Sequence, residues 1–204
     1  MDFTDGTNGY SCTGWFVDHN TVVTAAHCVY DTYNNKFYDA WYVYPAENGT
    51  DLPYGGEATT EAYVSGGWQS ANPPDPESVY YLDVAFDYAV INLNTDTDFP
   101  NHLSIHTSVN ANGNIYSIGY PGDKSFESNG SYYYYMYRSL GTINKIEYST
   151  ITHNAYVTSG MSGGPIVSPN DWGIYSLNST ASWGPQLAAD GSRGTIQTWS
   201  SINQ

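Results

Sequence analysis

A serine set among closely spaced glycines is the first feature of this sequence that could do covalent chemistry. Ser162 lies in the segment Gly160-Met161-Ser162-Gly163-Gly164-Pro165. Glycines at this spacing permit a tight turn that exposes the serine hydroxyl and points backbone N–H groups outward. Acyl transfer requires both parts, a nucleophile and adjacent donors for the oxyanion that develops as the nucleophile attacks. The segment therefore predicts an acyl-transfer nucleophile.

Two further segments carry the groups that would activate this serine. His27 lies in Thr24-Ala25-Ala26-His27-Cys28, directly after a β-like run, and Asp87 stands at the entrance to an apolar run. A serine hydroxyl is a poor nucleophile until a base takes its proton, and the base works best when a carboxylate fixes its tautomer. We therefore predict that His27, Asp87 and Ser162 act together. Asp83, four residues earlier in the chain, is the alternative to Asp87.

The elements that must position these side chains are predicted to be β-strands. Short runs of β-branched and aromatic residues recur between clusters of glycine, asparagine, aspartate and proline. This pattern predicts an all-β fold, an antiparallel sandwich or barrel. The predicted strand runs are Thr21 to Thr24, Ala40 to Tyr44, Tyr88 to Leu93, Asn114 to Ile118, Tyr132 to Tyr137, Ile166 to Val167 and Gly173 to Leu177. The one predicted helix is short, C-terminal and within residues 198–203.

Composition argues against several classes of partner. The chain has 204 residues with 20 acidic and 5 basic side chains, a formal charge of −15. Phosphate binding needs lysine and arginine, so we expect no nucleic-acid partner and no binding to an anionic membrane surface. No run approaches the roughly 18 apolar residues of a membrane span, and residues 1–14 do not have the pattern of a signal peptide. The two cysteines, Cys12 and Cys28, fit either a single disulfide or two buried thiols.

The sequence resembles the trypsin-like serine proteases, particularly the bacterial glutamyl endopeptidase branch. The histidine and serine segments are the specific motifs, and their order along the chain is the chymotrypsin-like one. Further segments that carry the likeness are Ser11-Cys12-Thr13-Gly14-Trp15, Ser65-Gly66-Gly67-Trp68 and Gly119-Tyr120-Pro121-Gly122-Asp123-Lys124. The resemblance implies one peptidase domain of two six-stranded antiparallel β-barrels, near residues 1–100 and 101–204, with the active site in the cleft between them. It also implies a Cys12–Cys28 disulfide and therefore secretion to the extracellular space.

The resemblance implies a role for each residue of the site. Ser162 attacks a peptide carbonyl, His27 accepts the serine proton and later protonates the leaving amine, and Asp87 orients His27. The backbone N–H groups of Gly160 and Ser162 form the oxyanion hole. The expected protein is a secreted, monomeric serine endopeptidase that acts on protein or peptide substrates and uses no cofactor or metal. A protease-fold protein that has lost activity and binds a partner is the alternative.

Substrate choice depends on three further positions of the pocket that the resemblance implies. Glutamyl endopeptidases use a pocket histidine in the strand after the serine, and a threonine or serine just upstream of the serine turn. Here Tyr175 stands where that histidine is expected, Val157 falls at the hydroxyl position, and Thr158 follows it. A tyrosine hydroxyl can donate to a carboxylate but carries no positive charge. Cleavage after glutamate is therefore one expectation, and cleavage after a small or apolar residue is the other.

Overall fold

Antiparallel strands make up most of the regular structure in the computed structural model of the chain. The structure describes residues 1–76, 79–80, 82–96, 103–106, 109 and 112–179, and the backbone of two later strands at 186–187 and 193–198. The strands of the first half are β1 (Asp2–Thr4), β2 (Gly9–Ser11), β3 (Trp15–Asp18), β4 (Thr21–Thr24), β5 (Tyr30–Asp31), β6 (Lys36–Phe37), β7 (Ala40–Val43), β8 (Glu57–Thr59), β9 (Glu61–Val64) and β10 (Ala89–Asn92). One short helix, α1 (Gly66–Gln69), and two 3-10 turns, Ala26–Cys28 and Asp83–Phe86, lie among them.

The second half of the chain adds nine strands to the described structure. They are β11 (Asn114–Gly119), β12 (Phe126–Ser128), β13 (Ser131–Tyr133), β14 (Tyr137–Glu147), β15 (Thr150–His153), β16 (Pro165–Val167), β17 (Ile174–Asn178), β18 (Gln186–Leu187) and β19 (Arg193–Thr198). A third 3-10 turn, Gly122–Lys124, follows β11.

Two four-stranded antiparallel sheets form the first half, with strand orders β2-β1-β7-β8 and β3-β4-β10-β9. Their apolar side chains fill one core, which includes Phe3, Trp15, Val22, Trp41 and Ile91. In the second of these sheets, Ala89 of β10 pairs with Thr24 of β4. The chain that precedes β10 therefore lies beside the chain that follows β4, which brings Asp87 to His27.

A closed ring of strands forms the second half. β19 pairs with both β17 and β15, so six strands join in the order β14-β11-β16-β17-β19-β15 and the last returns to the first. The apolar residues between these strands form a second core cluster, made of Ile115, Ile143, Ile151, Ala155, Ile166 and Tyr175. β16 begins three residues after Ser162, so the serine turn leads directly into this ring.

The mostly β prediction is confirmed, and six of the seven predicted runs coincide with strands of the structure. The seventh, predicted as one strand from Tyr132 to Tyr137, is wrong, because β13 ends at Tyr133 and β14 begins only at Tyr137. Between them, Tyr134 O accepts from Gly49 N at 2.8 Å, and Tyr134 N donates to a Glu47 carboxylate oxygen at 3.4 Å. A residue whose backbone groups bind another loop cannot also join a ladder.

The helix predictions have a different outcome. α1 was not predicted; Ser65 Oγ caps its first turn by accepting from Trp68 N at 3.1 Å. Thr198 is the last residue of β19, and the rest of the predicted C-terminal helix lies outside the described residues. Two six-stranded barrels with a division near residue 100 stay a prediction; the described strands of the first half form two four-stranded sheets. None of the helices in the described part is long and apolar enough to cross a membrane.

Candidate active site

His27 and Asp87 meet through two hydrogen bonds. His27 lies in the 3-10 turn after β4, and Asp87 directly follows the 3-10 turn Asp83–Phe86. The His27 Nδ1 atom lies 2.8 Å from Asp87 Oδ2, and the backbone N–H of His27 donates to Asp87 Oδ1 at 2.8 Å. An ionised carboxylate can only accept, so Nδ1 carries the proton and the lone pair of Nε2 is left to act as a base. Asp83, the alternative, heads the preceding turn, and burial raises the pKa of its carboxyl group.

A third donor to Asp87 is a serine that sequence analysis did not single out. The Ser179 hydroxyl donates to Asp87 Oδ2, and Asp87 is only 1% exposed. A carboxylate removed from water needs hydrogen-bond donors in its place, and Ser179 supplies one beside the two N–H groups of His27. Its signal in the sequence is weak, because Ser179 is marked only by its place just beyond a predicted strand.

Ser162 lies on a turn that packs against the segment leading to His27. Thr13 N donates to Ser162 O at 2.7 Å. Gly163 has a φ of +82°, and a Cβ there would lie 2.2 Å from both Thr13 O and Thr24 Oγ1. Only glycine permits this conformation and this close approach without strain. The fold therefore brings the predicted nucleophile and the predicted base to the same place.

The reactive atoms of Ser162 and His27 are both buried. Ser162 is 1% exposed and the His27 side chain is 11% exposed. Within the described part of the chain, Ser162 Oγ and His27 Nε2 have no hydrogen-bond partner. The bond between a catalytic serine and its base is often long without substrate and shortens on binding. The absence of a hydrogen bond between Ser162 Oγ and His27 Nε2 is therefore compatible with a nucleophile and its base before substrate binds.

The residues around Ser162 leave two backbone donors unused. Gly160 has a φ of +89°, and a Cβ there would lie 2.5 Å from Tyr120 O, so this position also requires glycine. Met161 O accepts from Gly164 N at 3.0 Å. The N–H groups of Gly160 and Ser162 have no hydrogen-bond partner among the residues that the structure describes. Free backbone N–H groups beside a nucleophile are the donors that a developing oxyanion needs.

Comparison with known proteins shows the family of the chain. Residues 12–175 match the trypsin-like peptidase domain. The chain belongs to the trypsin-like peptidase family. The family suggested by the sequence is therefore confirmed.

Two curated relatives of this trypsin-like peptidase are named as proteases. A glutamyl endopeptidase of Bacillus licheniformis is 37% identical over 120 residues, which cover 56% of this chain and 34% of that protein. An extracellular metalloprotease of Bacillus subtilis is 27% identical over 161 residues, which cover 77% of this chain and 46% of that protein. The matched part therefore spans less than half the length of either relative.

Solved structures share the chymotrypsin-like β fold of the trypsin-like peptidase. A Glu endopeptidase in complex with MPD has a TM-score of 0.74 at 23% identity, covering 98% of this chain and 84% of that one. The protease Anisep from Arthrobacter nicotinovorans has a TM-score of 0.70 at 20% identity, covering 100% and 90%. An inactivated protease paralogue of the scabies mite has a TM-score of 0.65 at 14% identity, covering 97% and 84%. At these identities the likeness shows the fold alone.

The disulfide that the resemblance implied is present between Cys12 and Cys28. A ring nitrogen of His27 and the two sulfur atoms lie within 4.8 Å of one another, the one cluster of possible metal ligands among the described residues. Metal binding by cysteine requires a thiolate, and both sulfurs are bonded to each other. The cluster is therefore a disulfide that packs beside the base.

The three predicted specificity residues lie in two different elements of the structure. Val157 and Thr158 are half-buried and directly precede the turn that carries Ser162. Tyr175 is instead buried in the second core cluster. The residue of β17 adjacent to Ser179 is Asn178. The pocket role of Tyr175 stays a prediction.

A β-bulge in β17 accounts for the position of Tyr175. Ile166 of β16 pairs with Ser176, whereas the next residue, Val167, pairs with Ile174. Tyr175 is the extra residue between these two pairs. An extra residue in one strand changes which side chains face each side of the sheet, and counting along the sequence cannot anticipate it.

Proposed function

We propose that this trypsin-like peptidase is a serine endopeptidase that hydrolyses peptide bonds through an acyl-enzyme. The observation that carries the proposal is the placement of three side chains. His27 Nδ1 lies 2.8 Å from the buried carboxylate of Asp87, while His27 Nε2 and Ser162 Oγ have no hydrogen-bond partner among the described residues. The His27–Asp87 contact supports the assignment of His27 as base and Asp87 as orienting acid, with Ser162 as the proposed nucleophile.

Acylation begins when Ser162 Oγ attacks the carbonyl carbon of the substrate. The hydroxyl proton passes to His27 Nε2, and the π electrons of the carbonyl become the charge of the oxyanion. The N–H groups of Gly160 and Ser162 donate to that oxyanion, each contributing about 3 kcal/mol in the transition state. Asp87 stabilises the imidazolium that forms.

Three further proton transfers complete the reaction. The tetrahedral intermediate breaks its C–N bond while His27 Nε2 gives its proton to the leaving amine, which leaves the acyl group on Ser162. Water then attacks the ester as His27 accepts one of its protons. The second intermediate breaks its bond to Ser162 Oγ, which takes that proton from His27, and a carboxylic acid is released and ionises. The products are one new amine and one new carboxylate.

The proposed substrates are protein or peptide chains cut after glutamate, outside the cell. Supporting this, the Bacillus licheniformis relative is named a glutamyl endopeptidase, and Thr158 places a hydroxyl-bearing residue just before the serine turn. The disulfide indicates an oxidising compartment. One chain supplies all three catalytic side chains, so we infer a monomeric enzyme. A peptide library tests the preference: enrichment of glutamate before the cut supports it, and enrichment of lysine or arginine contradicts it.

The fold alone does not separate an enzyme from a binding protein, since one structural neighbour is named an inactivated protease paralogue. Covalent labelling of the folded protein with a sulfonyl fluoride makes the distinction. We expect stoichiometric modification of Ser162, no modification of Ser162→Ala, and normal modification of Ser131→Ala, whose serine is exposed in β13. Folded wild-type protein that remains unmodified would refute the proposed function.

A further inference from the structure

The N–H group of Gly160 can serve the oxyanion only while the peptide between Ser159 and Gly160 faces one way. Gly160 has a φ of +89°. Glycine occupies positive and negative φ about equally well, so rotation of this peptide costs little by itself. Met161 N donates to Thr158 O at 3.1 Å and closes a turn around this peptide, but such a turn keeps that bond with its central peptide facing either way. A contact from outside the turn is therefore needed to fix the orientation.

That contact comes from the 3-10 turn Gly122–Lys124. Gly122 N donates to Ser159 O at 2.7 Å. In a trans peptide the C=O and the following N–H point in opposite directions, and the structure has no cis peptide bonds in its described part. The bond from Gly122 therefore turns the N–H of Gly160 away from the 3-10 turn. Gly122 is the first residue of that turn, where a backbone N–H has no partner within the helix and is free to donate.

The following peptide, between Gly160 and Met161, is held separately. Thr13 Oγ1 donates to Gly160 O at 2.8 Å and accepts from Tyr120 N at 3.0 Å. Thr13 thus holds the peptide that follows Gly160. Among the described residues, Gly122 N is the donor that holds the peptide before Gly160.

We propose that Gly122 is a positioning residue for the oxyanion hole, whose N–H group holds the Ser159 carbonyl so that Gly160 N–H faces the substrate oxygen. The inference rests on the proposed function. Without this bond the Ser159–Gly160 peptide rotates, and Ser162 N–H remains as a single donor to the oxyanion.

A pair of substitutions at Gly122 isolates this hydrogen bond. Gly122→Pro removes the N–H, and a ring carbon takes the place of the hydrogen that now faces Ser159 O. Pro121 has φ −72° and ψ 126°, an extended conformation that suits the residue before a proline, and proline is accepted at the first position of a helical turn. Gly122→Ala is the matched control, since it keeps the N–H. In both variants the Cβ would lie 3.2 Å from Ser159 O.

The readouts separate lost positioning from lost structure. They are kcat and KM for one peptide substrate, the affinity for a peptide aldehyde that adds to Ser162 Oγ, and the temperature of unfolding. Loss of one oxyanion donor lowers kcat by about 100-fold. We expect that loss in Gly122→Pro with little change in KM, a matching loss of aldehyde affinity, and values near wild type in Gly122→Ala.

The proposal is overturned if Gly122→Pro keeps the kcat and aldehyde affinity of Gly122→Ala, or if Gly122→Ala loses as much as Gly122→Pro. An amide-to-ester substitution at Gly122, which removes the N–H without a ring, gives the same test should the proline variant not fold. Its expected result is again a lower kcat, and an unchanged kcat overturns the proposal. Labelling of Ser162 and hydrolysis by the wild type report on the proposed function, whereas the difference between the Gly122 variants reports on this inference.

Discussion

Replacing Asp87 by asparagine should inactivate the protein by changing the tautomer of His27. One oxygen of Asp87 accepts from the backbone N–H of His27 at 2.8 Å, and the other faces His27 Nδ1 and Ser179 Oγ. A backbone N–H can only donate, so the single oxygen of the asparagine amide must stay opposite it. The NH₂ group then faces Nδ1 and forces it to accept. The ring proton moves to Nε2, which can no longer take the proton of Ser162.

The magnitude follows from this hydrogen-bond geometry. The exchange keeps the shape of the side chain but removes both the required tautomer and the charge that stabilises the imidazolium. A wrong tautomer in a serine protease triad lowers kcat about 10⁴-fold, which corresponds to about 5 kcal/mol in the transition state at roughly 1.4 kcal/mol for each tenfold change. Residual hydrolysis would come from the oxyanion hole and substrate binding.

Steady-state hydrolysis of a peptide substrate measures the effect, with the folded fraction checked by near-UV circular dichroism. Asp83→Asn is the matched control, because it makes the same chemical change four residues earlier, on a side chain with no bond to His27. We expect this control to keep kcat within about threefold of wild type, because the half-buried Asp83 carboxyl group makes no hydrogen bond with His27. The reasoning is refuted if Asp87→Asn retains more than about a tenth of the wild-type kcat, or if Asp83→Asn is the variant that loses activity.

Three further predictions concern stability. The Cys12–Cys28 disulfide joins residues separated by 16 positions. Its removal in the Cys12→Ala/Cys28→Ala double variant should lower the free energy of unfolding by about 3 kcal/mol and the Tm by about 6–12 °C. An unchanged Tm in a thermal scan contradicts this prediction. Thr13→Val should destabilise by about 1–3 kcal/mol for the buried Gly160 carbonyl, and by less for the part-buried Tyr120 N–H, since both lose the Thr13 hydroxyl. Thr13→Ser should retain most of that stability in denaturant unfolding. Backbone N–H groups of the following turn hold the pKa of Asp5 below its ordinary value. The Asp5 carboxylate therefore stabilises the fold above about pH 4, and this stabilisation is lost as the pH falls further. The Tm difference between wild type and Asp5→Ala should therefore shrink below that pH, and a difference that grows in acid would contradict the assignment.

The strands were largely predictable because their signal is local. β4, β10 and β17 are short runs of largely apolar or β-branched residues. Such a run favours a strand whichever neighbouring strands it pairs with. Tyr134 shows the limit, since its residue type favours a strand while its backbone oxygen is bound by Gly49 N at 2.8 Å. That contact joins residues 85 positions apart (134 − 49), and no local pattern records it.

The residue types of the candidate site were also predictable, whereas their supporting contacts were not. His27, Asp87 and Ser162 stand in segments whose small residues or position at a strand entrance mark them. Ser179 carries no such mark, although it donates to Asp87. The register of Tyr175 was not predictable either, because β17 carries an extra residue opposite Ile166 and Val167.

By itself, the sequence determined which groups are available for chemistry: a hydroxyl beside glycines, an imidazole, a carboxylate and a pair of cysteines. Only the tertiary structure decided how those groups are oriented. Thr13 Oγ1 reaches Gly160 O across 147 positions of sequence, and Gly122 N reaches Ser159 O across 37 (159 − 122). The physical reason is that a catalytic group works through the direction of one lone pair or one N–H bond. That direction is set by hydrogen bonds between segments that become neighbours only when the two halves of the chain have folded.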